Sequence, residues 1–434
     1  DSVEESFEET PTDLVSRESI DADDTEWTAD AAITRQMPGL AASLGIEEVE
    51  VKVGVAAKLK DREYGILIEE DLADPDFTEN DGLFQYEENR LDAFARIEFK
   101  LNPSLTLQAG LRAESTRTEI TFQNDFSEGG VLEDSVSGSA ESDEFMLNPS
   151  AHLQWEVTGN DQLRFSVART VRRPSIDQMI PSLSLESPGD EDVTVGNPDL
   201  AFETSIGFDV GYERRFAGRG IFGVNVFARQ ISDLIGLVNT GESMTTVGID
   251  PADYPGDLYS YRNIGDADVY GIEFDLSAPL SFIGLDETGV FANYTRLWSE
   301  RDDPAGGEAI SIDYQPDYVY NFGVTQNIPQ WDASFGFSYQ KQGESRFVTF
   351  GEIESQLYDG NLEIFLEKRL GESVVLRLTG TNLLDANSLQ AEAGFDGDNG
   401  AEILANQAAY DVDAFEVERE ASSPKITLTL RAVF

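Results

Sequence analysis

Residues 205–213 read SIGFDVGYE, with Ile206, Phe208, Val210 and Tyr212 at one parity and Ser205, Gly207, Asp209, Gly211 and Glu213 at the other. Strand side chains point alternately to opposite faces, so this spacing predicts a strand with one apolar and one small or polar face. The split recurs at Val51/Val53/Val55/Ala57/Leu59, at Leu91/Ala93/Ala95/Ile97/Phe99, at Leu105/Leu107/Ala109/Leu111, at Phe222/Val224/Val226/Ala228 and at Trp331/Ala333/Phe335/Phe337/Tyr339. Several of these segments exceed about ten residues, whereas strands of soluble proteins usually have about five or six. A soluble sandwich or propeller also alternates. Length and small polar second faces favour the wall of a membrane barrel.

The connections support that choice. Short turns are read at Asn102-Pro103-Ser104, Gly159-Asn160-Asp161, Ala217-Gly218-Arg219, 281–286, Ile328-Pro329-Gln330 and Gly371-Glu372-Ser373. Long acidic or Gly/Pro-rich loops are read near 70–85, 124–143, 173–200, 240–257, 301–312, 346–353 and 386–420. Outer-membrane barrels place short turns in the periplasm and long loops outside. Trp155 and Trp331 fall beside short turns, Trp27 and Trp298 towards long loops, as two aromatic girdles require. About fourteen strands follow residue 47, and one more is read at 26–37, giving an all-β, antiparallel transmembrane β-barrel fold. Residues 1–25 are then an acidic extracellular loop and 26–434 barrel wall. Counting back from a periplasmic C-terminus, the first strand descends from outside. With an odd count, this predicts the C-terminal part of a larger, even-stranded barrel.

Composition narrows the function. Asp and Glu number 83 against 30 Lys and Arg, a net charge of −53, which excludes a nucleic-acid ligand for want of clustered cations. The absence of cysteine removes thiolate metal sites and cysteine nucleophiles. Mean hydropathy is −0.31, as an alternating wall averages to a hydrophilic score. No secretion leader is read at Asp1. Residues 1–26 hold eleven acids and one base, Arg17, a run read as a solvated face or as adaptation to high salt.

Five stretches, in order, resemble the C-terminal barrel of TonB-dependent outer-membrane receptors. NPSAHLQWEVTGNDQLRFSVARTVRRPS (148–175) resembles that family's strand–turn–strand unit ending in Arg-Pro-Ser, and GNPDLAFE (196–203) its Gly-Asn-Pro-x-Leu-x-x-Glu signature. NIGDADVYGIEFDL (263–276) is similar to its Asn-x-Gly…Gly-x-Glu strand, GTNLLDAN (380–387) to its Asn-Leu-x-Asp element, and Phe434 to its terminal aromatic. The resemblance implies about 14–15 of roughly 22 strands, with the plug domain and TonB box lying outside this chain. It implies energy-coupled uptake of a scarce ligand, a siderophore, glycan or similar, across a bacterial outer membrane. The implied partners are outer-membrane lipid and lipopolysaccharide, the barrel-assembly machinery, TonB through the plug region and a small ligand, with the receptor a monomer. The alternative is a passive porin or fatty-acid-type channel.

Parity points Arg164, Asp209, Glu213, Arg229, Glu273, Asp275 and Arg377 into the lumen, where charges need partners. His152, the single histidine, falls on that parity, too isolated for haem or metal ligation. No Ser or Asp motif joins it as a hydrolase would require, so neither an enzyme nor a cofactor is expected. In FDGDNGAE (395–402) the acids approach a Ca²⁺ loop without its full spacing and read as an acidic turn. In KITLTLRAVF, Ile426, Leu428, Leu430 and Phe434 share the lipid parity and resemble the C-terminal signal by which the assembly machinery recognises barrels. Acid-rich loops suit neutral, cationic or Ca²⁺-bridged ligands better than anionic ones.

Overall fold

The computed structural model describes residues 2–7, 14–70, 78–128, 131–185, 192–216, 218–251, 255–303, 309–397 and 400–432. Five long strands open the wall after a short one: β1 (Ser2–Phe7), β2 (Leu14–Gln36), β3 (Glu48–Glu70), β4 (Thr78–Asn102), β5 (Leu105–Glu128) and β6 (Val131–Glu156). Next come β7 (Asp161–Arg172), the short β8 (Leu183–Leu185) and β9 (Val193–Val195), then β10 (Glu203–Phe216) and β11 (Gly220–Ser232). The middle holds β12 (Ile235–Asn239), β13 (Leu258–Asn263), β14 (Ala267–Leu280), β15 (Leu285–Arg301), β16 (Tyr318–Ile328) and β17 (Ala333–Gln342). The last are β18 (Ser345–Thr349), β19 (Glu352–Tyr358), β20 (Asn361–Leu370), β21 (Val374–Thr381), β22 (Asn387–Gly394), β23 (Ala414–Ala421) and β24 (Lys425–Ala432). Three helices intervene: α1 (Pro38–Leu44), α2 (Ile176–Met179) and α3 (Gly400–Ala409).

Sixteen of these strands form one ladder, β1 to β7, then β10, β11, β14 to β17, β20, β21 and β24. Every rung is antiparallel between sequence neighbours of the wall. Fourteen wall strands follow residue 47, as the alternation predicts, and β1 adds one beyond the fifteen expected. The eight other strands form two four-stranded sheets, β12-β13-β9-β8 and β18-β19-β22-β23, within the long connections. The short turns lie where they were read, with Ala217 outside the described residues, and the connection from β2 to β3 holds α1.

The apolar parity faces outward and is bare. Trp27 is 72% exposed and Ile426 74%, with Leu91, Phe145, Phe208, Val226, Phe322 and Leu366 exposed on the same side. The polar parity carries cross-strand ion pairs. An uncovered apolar face of this extent is stable only against hydrocarbon.

Two expectations are corrected. Residues 2–7 and 14–25, expected as loop, lie in β1 and β2, and acids of β2 form diagonal cross-strand ion pairs: Asp24 with Lys60 at 2.9 Å and Glu26 with Lys58 at 3.1 Å. Most of the loops expected at 70–85 and 124–143 is likewise strand. The reason is length. The 25 residues of β4, at about 3.3 Å each, reach roughly 80 Å, but a tilted crossing of a belt about 25 Å tall takes roughly ten residues. Ala57, Leu91, Ser115 and Phe145 stand opposite one another and mark the upper margin of the apolar stripe. Above it the apolar stripe ends, loop residues cover the polar parity at Tyr86 and Ile120, and the backbone ladder continues.

Just above that margin Asp61, Glu87, Glu119 and Glu141 form one cross-strand row. Like charges directly opposite destabilise a sheet. The E87Q/E119Q variant is expected to melt a few degrees higher than the parent at low ionic strength. That gain should shrink in molar salt, where the Debye length falls to about 3 Å. Circular-dichroism melts at the two salt concentrations check this.

Candidate functional site at the long-loop end

The charges assigned to the polar parity are neutralised largely within the wall. Arg164 Nη2 lies 2.5 Å from Glu213 Oε2, and Arg229 Nη2 lies 2.8 Å from Asp209 Oδ1. Asn225 Nδ2 donates to Glu273 Oε2 at 3.1 Å, and Asn293 Nδ2 donates to Asp275. Arg377 Nη1 is 3.5 Å from Glu367 Oε2, and its guanidinium sits 4.3 Å from the Phe365 ring centroid. His152 lies opposite Gln108 and Ser166 on that face. The same face carries directly paired phenylalanines and glycines: Phe94/Gly54, Phe122/Gly138, Phe227/Gly271, Phe291/Gly323 and Phe365/Gly336. Each ring lies where a glycine Cβ would be, between 2.5 and 2.7 Å away, so the glycines give the rings room to lie flat. Ile426, Leu428 and Leu430 are exposed on the apolar face of β24, whereas Phe434 lies outside the described residues.

Three of the family-like motifs, those at 148–175, 196–203 and 263–276, converge at the long-loop end of β7 and β10. Arg172, from the Arg-Arg-Pro-Ser stretch, places Nη1 2.6 Å from Oε1 of Glu203, the last residue of GNPDLAFE. The same oxygen accepts the Ile235 backbone N–H at 2.8 Å, which fixes the start of β12. Asn197 Nδ2 donates to the Tyr261 carbonyl at 2.9 Å, and the Asn197 N–H donates to the Gln178 carbonyl at 2.8 Å. Asn263, which opens NIGDADVYGIEFDL, accepts the Ala201 N–H at 2.9 Å and donates to the carbonyls of Ala201 and Asp233. Ser175 and Gln178 close a capping box on α2. In GTNLLDAN, Asn382 and Asp385 hold left-handed backbone (φ 52° and 54°), and Asn382 Oδ1 accepts the Ala386 N–H at 2.7 Å.

This knot docks the first loop sheet onto the polar face of the wall. Met179, Leu200 and Ile235 pack with Tyr86 of β4 and Ile120 of β5. Beside that contact lies a buried charge cluster that the sequence reading missed. Asp92 and Glu114 are 3% and 6% exposed. Arg112 reaches Asp92 at 2.5 Å and Glu114 at 3.1 Å, Arg90 reaches them at 2.9 and 3.3 Å, and Arg173 joins Glu114 at 2.5 Å. Arg173 belongs to the connection after β7, so the cluster ties a long loop to the wall. Arg90-x-Asp92 and Arg112-x-Glu114 are same-face i, i+2 pairs, and that spacing was the available signal.

The second loop sheet carries an acid whose carboxyl holds its proton well above the ordinary carboxylate range. Glu354 and Glu392 stand directly opposite across β19 and β22, and Glu352 shares their face. Burial, with Glu392, Glu354 and Asp192 nearby, pushes the Glu352 carboxyl up to about 7. The folded sheet therefore binds a proton that the unfolded chain releases at ordinary carboxylate pH. Its contribution is full below that range and is lost as pH rises through about 7. The protection factors of the β18, β19 and β22 amides, corrected for the intrinsic base-catalysed exchange rate, are expected to fall between pH 5 and 8, and Glu352→Gln should flatten that fall. In FDGDNGAE, the Asp396 carbonyl accepts from Asn406 of α3, while Asp398 and Asn399 lie outside the described residues.

Comparison with known proteins fits this architecture. A search of curated proteins by sequence returned no match. Among solved structures, the ferric yersiniabactin uptake receptor FyuA of Yersinia pestis superposes with a TM-score of 0.62 at 14% identity, over 97% of this chain and 55% of that one. The siderophore receptor PirA of Pseudomonas aeruginosa matches at a TM-score of 0.46 and 14% identity, over 88% of this chain and 74% of its own. The chain thus spans about half the length of FyuA. The family described as TonB dependent receptor-like, beta-barrel, matches residues 22–396, and the chain belongs to that family.

Proposed function

We propose that the protein containing this chain is a TonB-dependent transporter of the bacterial outer membrane, taking up a scarce ligand at the expense of the proton-motive force. The observation that carries this reading is the fastening of a long-loop sheet to the polar face through Arg172–Glu203 and Arg173–Glu114. Loops so anchored form a persistent outward surface above the polar face, which a ligand-capturing receptor requires. The predicted lumen residues Arg164, Asp209, Glu213, Arg229, Glu273, Asp275 and Arg377 then line the path beneath. Their pairing within the wall suits a polar passage that a plug fills without stranding charges.

Asp192, Asp257, Glu354 and Glu392 lie in or beside the loop sheets, which favours a neutral, cationic or cation-bridged ligand. A siderophore or a glycan fits that class if its net charge is not strongly negative. TonB and the barrel-assembly machinery are the partners proposed, with the exposed strand Ile426, Leu428, Leu430 and the terminal Phe434 as the assembly signal, and the receptor acts as a monomer. A passive channel of similar wall is the competing reading. Radiolabelled-ligand accumulation in cells decides: collapse of the proton-motive force is expected to abolish uptake, as is deletion of the gene. Uptake that persists without the force would establish the channel.

A further inference from the structure

On the apolar face, at the long-loop ends of β14 to β17, aromatic and cationic side chains gather. Tyr270 stacks on Trp298 at 5.7 Å, Tyr318 on Tyr320 at 6.0 Å, and Tyr320 meets Tyr339 at 6.1 Å. The Arg296 guanidinium lies 5.5 Å from the Trp298 ring, held there by Asp317 at 3.0 Å. Arg296 stands opposite Tyr318, and Lys341 stands opposite Tyr320. The two cations therefore occupy adjacent rows two strands apart, with tyrosines between them. Directly below, Tyr294, Phe322 and Phe337 are exposed.

The placement of these cations is selective. On this face of β10 to β21 the cations are Arg214, Arg296, Lys341 and Lys368. Arg214 pairs with Asp161 and Lys368 donates to the Trp331 carbonyl, both beside short turns. Arg296 and Lys341 are thus the pair at the opposite margin. Elsewhere acids outnumber cations at that margin: the Asp61/Glu87/Glu119/Glu141 row on one side, where Arg117 is engaged by Glu141, and on another a cleft of about 660 Å³ lined by Asp268, Glu300 and Asp302. Arg169, also in that cleft, is engaged by the Leu147 carbonyl and the Met146 sulfur.

Aromatic rings mark the depth where a barrel wall leaves hydrocarbon, and cations at that depth meet lipid headgroups. We propose that the Arg296–Lys341 patch is a binding site for the phosphate-bearing headgroup of an anionic lipid. The aromatic pairs seat its upper acyl chains, the guanidinium and ammonium take the phosphate, and the tyrosine hydroxyls donate to its remaining oxygens. On a rim elsewhere rich in carboxylates, where Arg117 and Arg169 stand singly and are each engaged, this two-cation sector is where such a lipid would concentrate. The inference rests on the membrane-embedded reading given above.

Trp298 is a built-in reporter. The protein with Trp27, Trp155 and Trp331 replaced by Phe is reconstituted in phosphatidylcholine carrying a minor fraction of brominated phosphatidylcholine or brominated phosphatidic acid. Local enrichment of the anionic lipid by roughly tenfold is expected, read as stronger Trp298 quenching at equal mole fraction. R296Q/K341Q should erase that preference and keep the quenching by the zwitterionic lipid. Equal quenching by both lipids in the parent would overturn the proposal. Relief of quenching by soluble inorganic phosphate would assign the patch to a free anion and also overturn it. No quenching by either lipid would instead defeat the embedded reading. If the tryptophan replacements impair folding, native mass spectrometry of the parent and of R296Q/K341Q counts retained anionic lipid, with loss expected in the variant and equal retention overturning the site.

Discussion

Replacing Glu114 by alanine is expected to cost about 3–5 kcal/mol and to release the long loop after β7 from the wall. Glu114 is almost wholly buried and receives Arg90, Arg112 and Arg173, together with the side-chain amide of Asn148 at 3.1 Å. Its removal takes the ion-pair partner from Arg173, which is mostly buried, and leaves Arg90 and Arg112 sharing Asp92. The cost of an uncompensated buried charge exceeds what the intact pair contributes, so truncation is far more damaging than a matched exchange. Glu114→Gln keeps acceptor and size and should lose less than half as much. The effect divides spatially, because Arg173 is the only member from the loop. Protease cleavage should appear first between residues 174 and 202, while the wall persists. An E114A protein with parental melting and parental loop protection would show that the cluster is not what fastens the loop.

The legibility of this chain follows from where lipid enforces a pattern. Between Leu91 and Phe99, or Phe222 and Ala228, one face must be apolar, so strand, register and facing could all be read from parity. The pairs Arg164–Glu213 and Arg229–Asp209 came with that reading, since parity places each member on the polar face. Above the Ala57–Leu91–Ser115–Phe145 margin lipid no longer enforces an apolar face, and Thr78 to Gln85 or Val131 to Asp143 look like loop although they are paired strand. The loop sheets escaped for a related reason. Their strands, such as Val193–Val195, are three to eight residues long and are specified by contacts distant in sequence, as in the burial of Val193 with Leu183, Met244, Ile249 and Leu258. Motif recognition located GNPDLAFE and RRPS but could not disclose their joint purpose. That Arg172 meets Glu203 across 31 positions is a fact of topology, invisible to spacing.

Gly196→Ala is the sharpest test of that purpose. A Cβ at this position would sit 1.9 Å from the Ile180 carbonyl oxygen and 2.7 Å from its carbon. Both are backbone atoms, so no rotamer change relieves the clash. Neither segment can retreat cheaply. The Asn197 N–H is bonded to Gln178, the Ile180 N–H to Ile176, and the Asn197 side chain to Tyr261 of β13. Separation of the two segments would strip α2 from the loop sheet and uncover Met179 and Leu200, which pack on Tyr86 and Ile120. Overpacking of this kind costs on the order of 3 kcal/mol or more. The loss should register as fast amide exchange in β9, β12 and β13 with β4 and β5 still protected below the margin. Gly159→Ala provides the control, since nothing lies within 4 Å of its added Cβ, and it should change stability by less than about 0.5 kcal/mol. The wall forms from its own rungs and would survive G196A, so a variant that inserts normally but no longer holds its loops would separate the motif's role in anchoring from the barrel's own assembly. Unchanged exchange in β9, β12 and β13 would mean that Gly196 closes no essential contact, and the anchoring role given to GNPDLAFE would have to be withdrawn.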